Sequence, residues 1–346
     1  MSNMRDVAMK AGVSLPTVSY VINDGPRPVS EETRARVLRA VSELGYRPNR
    51  MARGLARKNS LSIALIIPNS SDLFFARLSR AVEEVAYSEG FSLFLCNTGG
   101  DLKRERSYFS LLAEKRIDGA LLVTGGISHE QLRRATGDNL PVVILDREIE
   151  GAFTDTLIFD NFKAAKQATE HLAWHGHKRI ACLAGPKSLI GPHQRVDGYR
   201  AALKQAGLRF DASLLCWSDY SFSGGMSTAG ALLQGENRPA AIVACNDDMG
   251  VGVIHAAREL GIKVPSELAV AGMGDSFLGQ VVIPQLTTVF ASVDEMGRLG
   301  TSMLLERIRG TAPLAQQRVV LDTKLLIRRS CGCGAGNGGR KVRNEM

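Results

Sequence analysis

The chain has 346 residues, with 43 Lys and Arg against 35 Asp and Glu, a formal net charge of +8 and 45% hydrophobic residues. That length exceeds one compact core and predicts two or three domains. The composition excludes a wholly disordered chain, and no apolar run approaches the roughly 18 residues of a membrane span.

The N-terminus lacks the apolar stretch of a secretory signal. Cys96, Cys182 and Cys245 lie in apolar runs and read as buried thiols, so a cytoplasmic location is expected. The charge is unevenly placed. Residues 1–60 hold 11 Lys and Arg against 5 Asp and Glu, and residues 328–346 hold 5 against 1. The stretch between is nearly neutral, and a basic head on a neutral body suggests a head that meets a polyanion.

In chain order, Asn3 predicts a helix cap, with Asp6 three residues later in a variant of the capping box. Val7, Ala8 and Ala11 share one face and Gly12 ends the helix. Ser14 caps a second helix over 15–23, with Val18 and Val21 inward. Pro16 falls in its first turn, where no helical N–H is lost. Ser30 caps a third, with Val37, Leu38, Val41 and Leu44 inward. Two short helices joined by a Gly-containing turn and braced by a third predict a helix-turn-helix. The second helix offers Leu15, Thr17, Ser19 and Tyr20 to base edges and phosphates. Residues 49–58 follow with four basic side chains and Gly54, which costs about 1 kcal/mol of helix propensity. That segment is too short to be a helix by itself; a counter-charge would help it fold.

From residue 61 strands and helices alternate. Strands are predicted over 61–68, 91–97, 118–124, 141–146, 179–184, 240–245, 268–271 and 286–290. Helices are predicted over 73–88, 102–114, 161–175, 192–206, 221–233, 247–260 and 293–309. This is α/β reading, with parallel sheets covered on both faces and two similar halves.

The head resembles the LacI/GalR family of bacterial transcription regulators. The resemblance is carried by Asp6-Val7-Ala8, Ala11-Gly12-Val13-Ser14, Thr17-Val18-Ser19, Val21-Ile22-Asn23 and Gly45-Tyr46-Arg47-Pro48-Asn49 with Ala52, Arg53 and Leu55. It runs from about residue 3 to about residue 330. It implies a helix-turn-helix over 1–48 that reads a palindromic double-stranded DNA operator, and it adds Pro16 and Asn23 to the reading helix. Pro16 and Tyr20 stand where family members commonly carry polar or basic residues, so the operator sequence does not carry over. It further implies a hinge helix over 49–60 that enters the minor groove through Asn49, Arg50, Ala52, Arg53 and Leu55.

For the body the resemblance implies a two-lobed periplasmic-binding-protein-like domain with an effector in the cleft. The first lobe is expected over 61–160 and 292–322 and the second over 161–291 and 323–330. The chain would cross between them near 159–162, 290–294 and 321–324. Ligands in such sheets sit beyond the carboxyl ends of strands. Asp146, Asn246 and Asp275 occupy such ends, Tyr220 and Phe74 follow other strands, and Arg195 opens a helix. Carboxylate, amide, guanidinium and ring together suit a polyhydroxylated ligand. By resemblance Asp146, Arg195, Tyr220 and Asn246 match effector positions. Asp275 is displaced by one place, since family members often carry Asp where Gly274 stands. The expectation is a repressor controlled by a sugar or sugar derivative, with a purine-type or protein co-effector as the alternative.

Other signals lead nowhere in the sequence. His171, His175 and His177 gather at a helix end, but a metal needs further ligands. Cys331-Gly-Cys333 has no second ligand pair nearby. No phosphate-binding Gly motif or nucleophile elbow appears. No metal, cofactor or enzymatic activity is expected; an enzyme or a plain sugar sensor with an added DNA-binding head is the rival reading. Residues 331–346 are Gly-rich and polar and predict a disordered tail. They lack the leucine heptad that joins two family dimers, so a homodimer is expected.

Overall fold

The computed structural model describes residues 2–23, 27–46, 60–137, 140–151, 154–235 and 237–333. The expected hinge, with Asn49, Arg50, Ala52, Arg53 and Leu55, and tail residues 334–346 lie outside them. Two compact units result, 1–60 and 61–346.

The first unit holds α1 (Met4–Ala11), α2 (Leu15–Asn23) and α3 (Glu31–Glu43). Asn3 Oδ1 accepts from the backbone N–H groups of Arg5 and Asp6, while Asp6 Oδ2 accepts from that of Asn3. This reciprocal box closes the start of α1, and Gly12 ends it with φ +63. Val7, Ala8, Ala11, Val18, Val21, Val37 and Ala40 form the core. Leu38 was expected inward but is 50% exposed. The buried face of α3 runs Val37, Ala40, Val41, Leu44, and position 38 lies a hundred degrees round the helix from 37.

The second unit contains two six-stranded sheets. The first lobe contributes β1 (Ser62–Ile67), β2 (Ser92–Asn97), β3 (Gly119–Leu122), β4 (Val142–Leu145), β5 (Asp155–Phe159) and β11 (Arg318–Leu321). The second contributes β6 (Ile180–Ala184), β7 (Leu215–Trp217), β8 (Ala241–Ala244), β9 (Ala269–Met273), β10 (Thr287–Ala291) and β12 (Thr323–Leu326). The orders are β11-β5-β4-β3-β1-β2 and β12-β10-β9-β8-β6-β7. All pairs are parallel except β10 with β12.

Continuous apolar runs make inner strands such as β1, β3, β4, β6 and β8 because both faces are covered. In β1, Ile63, Leu65 and Ile67 point into one core while Ala64 and Ile66 point into another. On the first sheet α4 (Leu73–Ser88) and α12 (Val293–Arg309) cover one face, and α5 (Leu102–Glu114) and α6 (His129–Thr136) the other. On the second sheet α7 (Asn161–Trp174) and α8 (Ile190–Gln205) face α9 (Phe222–Leu233) and α10 (Asp247–Glu259) across the strands. A short α11 (Phe277–Val281) follows β9.

The chain passes between sheets at Asp160, at Ser292 and at Asp322. The tail expectation needs one correction. Cys331 is 1% exposed and packs in the core of the second lobe. Ser330 explains this: its hydroxyl donates to Val270 O at 2.6 Å and accepts from Thr287 N–H at 2.8 Å, so the chain end is held on the sheet past β12.

Candidate functional site

In each sheet the first strand lies between the second and the third, so the chain leaves β1 and β3, or β6 and β8, in opposite directions. Such a reversal opens a crevice at the carboxyl ends. The residues beyond those ends in both lobes line one cleft of about 1190 Å³.

Arg195 is the centre of the second lobe's share. Its Nε donates to Asn161 Oδ1 at 2.8 Å and its Nη1 donates to the Cys245 carbonyl at the end of β8. Its guanidinium sits 5.6 Å from the Tyr220 ring centroid, a cation–π distance. Asn161, the first residue of α7, is buried and gives its amide N–H to Gln194 Oε1, so its whole side chain serves to hold this helix. No described residue accepts from Arg195 Nη2, which leaves that end of the guanidinium for a ligand.

Tyr220 has φ +69, a left-handed backbone that a bulky residue rarely adopts. Its ring lies across Gly185, where a Cβ would stand 2.1 Å from Cζ; the ring has a seat only because residue 185 has no side chain. Burial pushes the phenol up to about 12, so it stays a neutral hydroxyl at ordinary pH. Asn246 caps α10: Oδ1 accepts from Met249 N–H at 3.0 Å and Nδ2 donates to Tyr220 O at 2.7 Å. Its amide thus fixes the Tyr220 loop as well as facing the cleft.

From the first lobe, Asp146 ends β4 with φ +63. Burial raises its carboxyl while Arg147 and Arg195 pull it down, so the carboxylate and the Arg195 guanidinium sense each other across the cleft. Phe74, in the first turn of α4, packs edge-on to Phe75 at 5.1 Å and to Phe159 at 6.4 Å and lines the cleft.

Asp275 is not among the lining residues. Its carboxylate is paired with Arg328 near the chain end. The left-handed turn at Asp275, φ +53, follows Gly274 and commits the side chain to that partner. Sequence reasoning missed Asp247, which is buried beneath the same loop. Thr288 Oγ1 donates to its Oδ1 at 2.5 Å and Ser276 N–H to its Oδ2 at 2.6 Å. Burial outweighs these bonds and raises the carboxyl to about 6. Asp72 was also missed. It caps α4 through Phe74 N–H at 2.8 Å, and its carboxyl is raised by burial with Asp146 nearby. Its signal was legible as a cap rather than as a strand end.

Among the lining side chains, Asp72, Asp146, Glu148, Glu150, Asp219, Asp247 and Asp248 stand against Arg77, Arg80, Arg147 and Arg195. Arg77 is paired with Asp294 at 2.8 Å. A cleft with more carboxylates than guanidinium groups suits hydroxyl groups better than phosphate.

In the first unit, α2 carries Leu15 and Pro16 exposed and Thr17, Ser19 and Tyr20 half-buried. Thr17 Oγ1 lies 2.8 Å from Ser14 Oγ at the helix start. The Asn23 side chain lies outside the described residues. No helix among the described residues is long and apolar enough to cross a membrane.

Residues 60–329 match the periplasmic binding proteins and sugar binding domain of the LacI family, and residues 3–49 match the bacterial regulatory proteins of the lacI family. The ribose operon repressor of Escherichia coli (strain K12) is 37% identical over 332 residues, 95% of this chain and 99% of that protein. The solved complex of the transcriptional regulator CelR with cellobiose is 30% identical with a TM-score of 0.72, covering 95% of this chain and 100% of that one. The lac repressor dimer bound to operator and the anti-inducer ONPF is 26% identical with a TM-score of 0.85, covering 95% and 99%. With a helix-turn-helix head, a two-lobed body and these matches along nearly its whole length, the chain belongs to the LacI family of bacterial regulatory proteins.

Proposed function

We propose that the chain is a repressor that binds a palindromic DNA operator as a homodimer, its affinity set by a neutral, hydroxyl-rich effector, a sugar or sugar derivative, in the cleft. The observation that carries the ligand class is Arg195, held by Asn161, Cys245 O and Tyr220 and opposed by Asp146. A guanidinium edge and a carboxylate can each span two adjacent hydroxyls. Tyr220 and Phe74 offer rings to the apolar face of a sugar ring. A ribose operon repressor and a regulator–cellobiose complex among its relatives support the same class.

On the DNA side, this reading assigns Leu15, Pro16, Thr17, Ser19, Tyr20 and Asn23 to the major groove. Residues 49–60 join this head to β1 in sequence, and this reading assigns Asn49, Arg50, Ala52, Arg53 and Leu55 to the minor groove. The effector acts by its differential affinity for two lobe arrangements. The edge strand β2 exposes Phe94 and Leu95, which supports a second copy as their cover. The lac repressor neighbour is itself a dimer on operator.

A thermal-shift screen of the full chain against neutral sugars, sugar phosphates and purines tests the ligand class. A sugar at about 100 times its Kd adds about 2.7 kcal/mol of stability. The same sugar changes affinity for an inverted-repeat duplex selected from random DNA. Stabilisation by purines or sugar phosphates alone, or a selection that returns no inverted repeat, overturns the reading.

A further inference from the structure

The histidines near the end of α7 and the cysteines past β12 are far apart in sequence, His175 lying 158 and His171 162 residues before Cys333, and meet in the fold. His171 and His175 lie one helical turn apart, their ring centroids separated by 4.8 Å with planes at 80°. Cys331 and Cys333 arrive from the other side, past β12, on the segment that Ser330 anchors to Val270 and Thr287. Gly332 between them has φ +93, a conformation that L side chains rarely adopt. His175 Nε2 is 2.9 Å from Cys333 Sγ, and His171 Nε2 is 3.7 Å from the same sulfur. The four ligand atoms all lie within 4.8 Å of one another.

We propose that His171, His175, Cys331 and Cys333 form a tetrahedral Zn²⁺ site that clips the chain end to α7. Two thiolates and two imidazoles are a structural zinc donor set. With zinc–sulfur bonds of about 2.3 Å and zinc–nitrogen bonds of about 2.0–2.1 Å, ligand atoms of a tetrahedral site stand roughly 3–4 Å apart. The present spacing meets that range after small side-chain rotations. Among the described residues no carboxylate or basic side chain outside the cluster is bonded to any of the four; the other hydrogen bond is from Cys331 Sγ to Arg328 O at 3.8 Å. Binding displaces one proton from each thiol, and two thiolates with Zn²⁺ leave the site electrically neutral, as its burial requires. The consequence is mechanical. The chain enters the second lobe from the Asp322 passage as β12, and the clip fixes the far end of that strand to a helix that follows the Asp160 passage. A metal that closes so long a loop stabilises the folded lobe against the unfolded chain.

Co²⁺ titrated into the full, untagged, reduced and chelator-stripped chain tests this directly. One equivalent should bind, with the near-ultraviolet charge transfer of thiolate–cobalt bonds and the visible bands of tetrahedral coordination, and Zn²⁺ should bleach both. Trp174 stacks on His171 at 6.4 Å and meets His175 edge-on at 5.0 Å, so its fluorescence should be quenched in step. Zn²⁺ should also raise the melting temperature. Cys333→Ser, at a half-buried position that tolerates the change, should weaken Co²⁺ binding at least about a hundredfold while far-ultraviolet dichroism stays unchanged. Cys216→Ser, on β7 and outside the cluster, should bind as the parent does. A Co²⁺ spectrum without charge transfer, or equal affinity in Cys333→Ser and the parent, overturns the proposal.

Discussion

The crevice between β1 and β3 is braced by a carboxylate, and the one between β6 and β8 by a guanidinium. In the first lobe Glu105 is fully buried on α5. Its Oε1 accepts from Thr124 Oγ1 at 2.8 Å and its Oε2 from Gly125 N–H at 2.7 Å. Arg147 Nη1 donates to Thr124 O at 2.6 Å. The Glu105 carboxylate is consumed in shaping that loop, while the Arg147 guanidinium also lies 4.0 Å from Asp146 on the cleft wall. In the second lobe Arg195 is held by two hydrogen bonds and lies 5.6 Å from the Tyr220 ring centroid. With the same strand order on both sides, the proposed effector site takes its ring-packed guanidinium from the second lobe. The first contributes a carboxylate and an aromatic wall.

The sixth strands differ for a reason that follows from the cleft. Both sheets point their carboxyl ends at it, so a strand leaving the first sheet enters the second from its carboxyl end. The passage at Asp322 is one residue long and leaves no room for a helix that could reverse direction. Hence β11 runs parallel to β5, while β12 runs antiparallel to β10. The other two passages, at Asp160 and Ser292, open helices and keep the parallel rule.

The largest expected effect breaks the first lobe's hold on its sixth strand. Asp155 is 2% exposed, takes Arg307 Nε at 2.7 Å and Nη2 at 2.8 Å, and accepts Gln317 N–H at 2.8 Å just before β11. Asp155→Ala leaves Arg307 uncompensated and should cost about 3–5 kcal/mol in denaturant unfolding. A loss under about 1 kcal/mol would show that the pair contributes nothing net.

Next comes a paired test of the two arginines. Arg195→Ala should weaken binding of the effector found by screening by about 2–5 kcal/mol, because it strips the ligand of its partner. Affinity for DNA without effector should stay close to the parent. Arg147→Ala should affect effector binding less, since one edge of Arg147 is bonded to Thr124 O and its Nε lies 4.0 Å from Asp146. Calorimetric titrations that rank the two the other way would move the site's guanidinium to the first lobe.

How much of this was legible in sequence depends on where the signal lay. Strands such as β1 and β8 announced themselves as apolar runs because both faces are buried. Strand β5 was missed because it opens on Asp155, and β7 because it is three half-buried residues long. Helix α6 was missed although Ser128 and Gln131 form a capping box at its start. Asp146, Arg195, Tyr220 and Asn246 converge where strand ends meet. Asp275 does not, because Arg328, 53 residues on, claims its carboxylate. Asn161 and the His–Cys cluster depend on contacts between distant segments, which spacing along one chain cannot reveal.

A smaller effect concerns Asp247, the second lobe's buried carboxylate. Its folded value of about 6 exceeds its ordinary 3.8, so the folded state holds more protons between those limits. Its contribution to stability is therefore full below about pH 4 and is lost as pH rises through about 6, by up to about 3 kcal/mol. Asp247→Asn should remove that dependence. The amide can accept from Ser276 N–H and donate to the second lone pair of Thr288 Oγ1, which already accepts from Asp275 N–H, at the cost of the acceptor for the Thr288 hydroxyl proton. Unfolding free energies from pH 4 to 7 that fall equally in parent and variant would place the titration elsewhere.

Glu105, its counterpart in the first lobe, is also raised by burial, so its response to pH has the same sense, and the difference lies in what its amide can replace. Thr124 Oγ1 donates to Glu105 and already accepts from Gly126 N–H and Ile127 N–H, both at 2.9 Å. Both lone pairs of that hydroxyl are used, so it cannot also accept from an amide. Glu105→Gln must therefore either turn its NH₂ against Gly125 N–H or leave the Thr124 hydroxyl without an acceptor. One buried bond is lost in each case, partly offset because a neutral amide is less costly to bury than a carboxylate held in the same place. The net loss should be about 1 kcal/mol at neutral pH. A Glu105→Gln chain as stable as the parent, beside an Asp247→Asn chain that is less stable, would show that the carboxylate bracing the first lobe can be exchanged and the one in the second cannot.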